Sequence, residues 1–164
     1  MKKLFVFMFI HFMFFMTSCS VLKTAPETIK EVTRKIEAKD FTILTNYALP
    51  LRMQPVNLTS EYSLTINNDS AFAFLPYFGV AHVAPYNSSE GGIKFSEKMS
   101  DFQIKPNKKS TGWEITFKVK PKTMTEYEVY LNIFENGSAS FNVNSYEKDM
   151  ISFSGNMKLD EQKK

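Results

Sequence analysis

The apolar residues of this chain are spaced in three ways, one after another. From Leu4 to Met16 they form a nearly unbroken run, interrupted only by His11. Ile29, Val32 and Ile36 then recur at helical spacing among Lys and Glu residues. That pattern predicts one short amphipathic helix ending near Ala38, within a segment spanning 24–40. Thr24-Ala25-Pro26-Glu27 supplies its start: a hydroxyl cap, a proline in the first turn and an acid three residues after the cap. Phe41 to Leu49 reads as a first strand, closed by Pro50 and Pro55, which suit no central strand.

From Tyr62 onward the period is two. Tyr62, Leu64 and Ile66 alternate with polar residues, and Asn67-Asn68-Asp69-Ser70 turns the chain into Ala71 to Leu75. Ile93 and Phe95, then Phe102 and Ile104, mark further strands. Trp113, Ile115, Phe117 and Val119 form the clearest alternation, followed by Tyr127, Val129, Leu131 and Ile133. Asn136-Gly137 is read as a type I′ hairpin turn; Ala139, Phe141 and Val143, then Ile151, Phe153 and Met157, complete the series. Strict alternation means one wet face and one buried face, and no helix-length crossover separates the strands. The expected fold class is therefore mainly β. It is an antiparallel meander of about eight to nine strands over 41–158, closed as a barrel or folded as a two-layer sandwich, with one short N-terminal helix. The aromatic-rich inner face either fills the interior or lines an apolar pocket. Residues 159–164 are expected to form a disordered tail.

Composition changes this picture at one end only. With 164 residues the chain is about one domain long. Of 20 basic and 17 acidic residues, Lys2 and Lys3 precede the apolar run, so the remainder is close to neutral and has no field for nucleic acid. The single cysteine, Cys19, follows Met16-Thr17-Ser18 directly after that run. Two lysines, an apolar segment well short of the roughly 20 residues of a spanning helix, and a cysteine at its end read as a lipoprotein signal peptide over 1–18. Met16 stands where leucine is usual. Cys19 would take up diacylglycerol as a thioether, with further acyl chains such as palmitate. That number of chains suffices for stable anchoring, with 19–23 as a short tether. The expected location is the cell envelope, lipid-anchored to the periplasmic face of the outer membrane.

Several segments in a fixed order resemble a family of Bacteroidetes envelope lipoproteins, domain of unknown function 4251. They are Ala48-Leu49-Pro50-Leu51-Arg52, Asn57-Leu58-Thr59-Ser60-Glu61-Tyr62, Leu75-Pro76-Tyr77-Phe78-Gly79, Ala84-Pro85-Tyr86, Gly91-Gly92-Ile93-Lys94-Phe95 and Asn136-Gly137-Ser138-Ala139-Ser140. The resemblance implies a lipidated envelope protein and supplies no activity.

Within Leu75–Phe95, prolines and glycines break the alternation around Tyr77, Phe78, His82 and Tyr86, the candidate binding surface; its bland alternative is a loop folded over the barrel mouth. His82 is the one histidine beyond the leader. A hydrolase would pair it with Ser88 or Ser89 and Glu90, but no nucleophile elbow frames those serines, so no catalytic residue is assigned. No metal site is expected from one histidine and a lipidated cysteine, and no phosphate loop or other cofactor motif occurs. Lys105, Lys108, Lys109, Lys118, Lys120 and Lys122 read as one basic hairpin, facing anionic headgroups or simply solvent. Tyr130 and Phe134 fall on the polar side of their strand, as a partner patch would. Asp69-Ser70-Ala71 resembles an O-glycosylation acceptor, which makes Ser70 a candidate; four Asn-x-Ser/Thr matches are read as chance. The leading expectation is a non-catalytic binding module, taking an apolar ligand or an envelope protein; the alternatives are a hydrolase using His82 or a structural envelope component. Replacing Cys19 with Ala is expected to abolish acyl labelling and release the protein from the membrane fraction, and full retention in that fraction would refute the lipid anchor.

Overall fold

The structure, a computed structural model, describes residues 25–82, 91–107, 111–122 and 126–160. One helix, α1 (Pro26–Glu37), precedes eight strands: β1 (Asp40–Pro50), β2 (Val56–Asn67), β3 (Ser70–Leu75), β4 (Ile93–Pro106), β5 (Gly112–Val119), β6 (Tyr127–Phe134), β7 (Ser138–Ser145) and β8 (Ile151–Met157). Each strand pairs antiparallel with the next, and β8 returns to β1, closing a barrel in sequence order. The choice between barrel and sandwich is thus resolved by the β1–β8 ladder, which runs from Ile43↔Met157 to Pro50↔Ile151. Closure leaves no free strand edge.

The inward side chains are those expected from the alternation. Ile43, Leu64, Ile66, Ile115, Leu131 and Ile133 are fully buried, and Phe117, Phe141 and Phe153 are the largest buried groups. Phe141 and Phe153, directly paired across β7 and β8, stack with centroids 5.2 Å apart. Eight strands give an interior about as wide as such side chains fill, and these occupy it.

Two bulges shift the alternation. Thr45 is inward and Ala48 is inward, while Asn46 and Tyr47 between them both face out, because β1 carries an extra residue there. Opposite that bulge sits Gly155, where a Cβ would stand within bonding range of the Leu44 carbonyl oxygen. β4 bulges between Ser100 and Gln103, with Asp101 at φ 53. The Ile93/Phe95 and Phe102/Ile104 pairs therefore belong to one strand with a phase slip, not to two strands.

α1 begins one residue later than its expected cap. Ala25 takes the N-cap position with no side-chain hydrogen bond, and Pro26 opens the first turn; Thr24 lies outside the described residues. Val32 and Ile36 bury against the barrel, and Val32 faces the β6–β7 loop at Gly137. The helix therefore covers the end of the barrel where β1 starts. That loop is also not the two-residue turn expected. Glu135, Asn136 and Gly137 form three residues, the Gly137 amide donates to Phe134 O at 2.8 Å, and only Gly137 has positive φ (81°). This is the three-residue hairpin with a left-handed glycine; Asn136 Oδ1 accepts from the Ser138 amide. Past β8 the chain stays engaged, although 159–164 was expected to be a free tail. Leu159 packs on the core, and Asp160 pairs with Arg34 and Lys35 at 3.0 and 2.8 Å; residues 161–164 lie outside the described set.

The seam makes a quantitative test. Gly155→Ala is expected to destabilise by about 1–3 kcal/mol or more through backbone collision. Gly91→Ala, with nothing within 4 Å of its added Cβ, should stay within about 0.5 kcal/mol. Urea denaturation midpoints of both variants decide it, and equal midpoints would contradict the tight β1–β8 approach.

Candidate functional site

The barrel end opposite α1 carries the β1–β2, β3–β4 and β7–β8 connections. Three loops meet there. Pro76 stops β3, and Gly79 lets the Tyr77 ring fold back over the chain, since a Cβ there would collide with the phenol. The Tyr77 hydroxyl lies 2.8 Å from Val80 O and 3.2 Å from Asp149 O. An isolated bridge joins Ala81 to Lys148, the His82 amide donates to Glu147 O at 2.7 Å, and the Asp149 amide donates to Val80 O at 3.0 Å. The segment 77–82 is thus stitched to the β7–β8 turn by main-chain bonds.

Asp149 holds the side-chain half of this junction. Its side chain is only 8% exposed. Oδ1 lies 2.9 Å from His82 Nε2. Oδ2, shielded from water, lies 3.1 Å from Arg52 Nε as an ion pair whose alignment falls short of a hydrogen bond. Lys148 donates to Gly92 O at 3.2 Å, and its ammonium stands 5.0 Å from the centre of the Tyr77 ring. Burial pushes the Lys148 pKa down, with Glu147 acting against it. Burial also pushes the Tyr77 pKa up, and the charge of Asp149 adds to that.

Of the expected surface, Tyr77 and Phe78 are half-buried and pack on the core; they act as a cover for the barrel mouth. His82 is exposed and joined to Asp149. Tyr86 lies outside the described residues, as do Ser88, Ser89, Glu90, Lys108, Lys109 and Cys19. Among the described residues, no serine, threonine or cysteine side chain hydrogen-bonds the His82 ring, so the pair has a carboxylate and no nucleophile. Also among them, no group of three His, Cys, Asp or Glu residues can hold a metal ion.

Sequence reasoning missed Arg52, Lys148 and Asp149, and also an apolar rim around them. Leu51 is 60% exposed and Tyr146 85% exposed, and Met53, Val80 and Met150 are exposed beside them on the same three loops. The six lysines do not form one hairpin surface: Lys105 sits near the α1 end, opposite Glu114, while Lys118 pairs with Asp101 and Glu126 further along β5. Ser70 opens β3 near the α1 end and donates to Asp69 Oδ1 at 2.9 Å.

The model of the family described as "Domain of unknown function (DUF4251)" matches residues 23–157. The chain belongs to this family. A solved DUF4251 family protein from Bacteroides eggerthii DSM 20697 superimposes with a TM-score of 0.62 at 15% identity, covering 81% of this chain and 88% of that one. At that identity the likeness speaks for the fold. No curated protein matches the chain.

Asp149→Ala removes both side-chain pairs and leaves the main-chain stitches. Because Arg52 and His82 are half or more exposed, the global cost is expected to be about 1 kcal/mol or less. Amide exchange at His82 should nevertheless speed at least tenfold relative to Leu131, and unchanged exchange at His82 would show that Asp149 does not hold the loop.

Proposed function

We propose that this DUF4251 protein is a non-catalytic interaction module of the cell envelope, held at the periplasmic face of the outer membrane by lipidated Cys19. One observation carries the reading: the apolar rim of Leu51, Met53, Val80, Tyr146 and Met150 surrounds a junction that Asp149 holds in place. An exposed apolar cluster on a rigid base fits a protein partner better than solvent. The filled interior argues against carriage of an apolar ligand inside the barrel.

The direction of the rim supports the same reading. The chain enters the domain at α1, on the far end of the barrel. Six residues separate Cys19 from Ala25, a reach of roughly 20 Å when extended. A tether of that length keeps the α1 end near the bilayer and turns the rim away from it, toward other envelope proteins. The hydrolase alternative gains the His82–Asp149 contact and lacks a hydroxyl partner among the described residues.

A photo-reactive residue at Tyr146 or Met53, introduced in the native host, is expected to give one discrete protein adduct that a probe at Lys158 does not give. Adducts of equal yield from both ends, or none from the rim, would refute the interaction module.

A further inference from the structure

We propose that the outer wall of β6, β7, β8 and β1 carries a second binding site, a trough for a neutral saccharide. This goes beyond the loop-end rim and does not depend on it. The trough has a volume of about 330 Å³, at the lower end of ligand-site sizes. Its floor is made by Ser138 and Ser140 of β7 with Ser154 and Gly155 of β8. Phe134 on β6 stands at one side, and Tyr47 on β1 stands at the other. Three strand spacings separate β6 from β1, about 14 Å along the wall.

Two features of the fold build this shape. The β1 bulge turns both Asn46 and Tyr47 outward where regular alternation would bury one of them. Short side chains on the two middle strands keep the floor low between aromatic edges. Asn46 and Asn156 add amides to the rim. Across the register, Asn132 lies beside Ser140 and Asn142 beside Ser152, so the polar, uncharged character continues past the trough.

The lining selects among ligand classes by its chemistry. Serine hydroxyls and asparagine amides each offer both donors and acceptors, which is the pattern a sugar hydroxyl presents in return. The faces of Tyr47 and Phe134 carry the negative part of the ring quadrupole and accept the weakly positive C–H face of a pyranose. None of the described residues lining the trough is charged, so an anionic ligand would find no counter-charge. An apolar ligand would strip water from the floor hydroxyls without replacing their hydrogen bonds. A peptide strand has no sheet edge to join, because the barrel is closed.

The test uses the full chain in a detergent that contains no sugar. The probes are neutral trisaccharides of glucose, mannose, galactose and N-acetylglucosamine, with uronic-acid trisaccharides as anionic counterparts; calorimetry and saturation-transfer NMR give the affinities. At least one neutral probe is expected to bind, and its uronic-acid counterpart at least tenfold more weakly. Tyr47→Ala and Phe134→Ala should each weaken binding at least tenfold, while Tyr146→Ala at the loop end leaves it unchanged. Melting curves identify a variant that fails to fold, and Asn156→Ala, on an exposed side chain, then takes its place. Silence of the whole neutral panel, equal binding of the anionic probes, or affinity untouched by the trough variants would each overturn the proposal.

Discussion

The first strand has to meet the last. Eight antiparallel strands satisfy their backbone groups only if β1 donates and accepts on both sides, to β2 and to β8. The β1–β8 seam is the longest-range pairing in the chain and the one without a connecting turn. Its geometry is tight at Gly155 against Leu44, and it absorbs an extra residue at Asn46. The buried phenylalanines, the covered mouth and the plugged end all presuppose that this seam is shut.

The seam also explains which parts of the molecule could be read from the sequence. Alternation identified nearly every inward residue from Tyr62 to Met157, because a buried face imposes period two on residues only a few positions apart. The bulges at Asn46 and Asp101 were hidden, since a single inserted residue looks like the end of one strand and the start of another. Barrel and sandwich place the same residues inside, so the closing ladder left no local trace. The hairpin at Gly137 was found by its glycine, and its length was misjudged because Asn-Gly suits both two- and three-residue loops.

The loop-end junction was legible only in part. Tyr77, Phe78 and His82 stood out as aromatic and titratable residues in a broken stretch. Their partners did not: Arg52 and Asp149 come from connections far away in sequence, and a lone aspartate before Met150 carries no signature of its own. Likewise Tyr130 and Phe134 announced themselves by facing the polar side, whereas the serine floor beside Phe134 reads along the chain as ordinary strand exterior. Local pattern reports what faces inward; it says little about which distant loops share an end.

One contact at the other end bears on mechanics. Asp160 joins the chain just beyond β8 to Arg34 and Lys35 of α1, while Val32 and Ile36 seat the helix on the barrel. Force arriving through residues before Ala25 therefore reaches α1 before it reaches β1. The helix is braced at both its apolar face and its charged side, so the load spreads across the barrel end in shear. Peeling β1 from β8 would require that brace to fail first. The seam on which the fold depends is thus shielded from the direction in which the chain is most readily pulled.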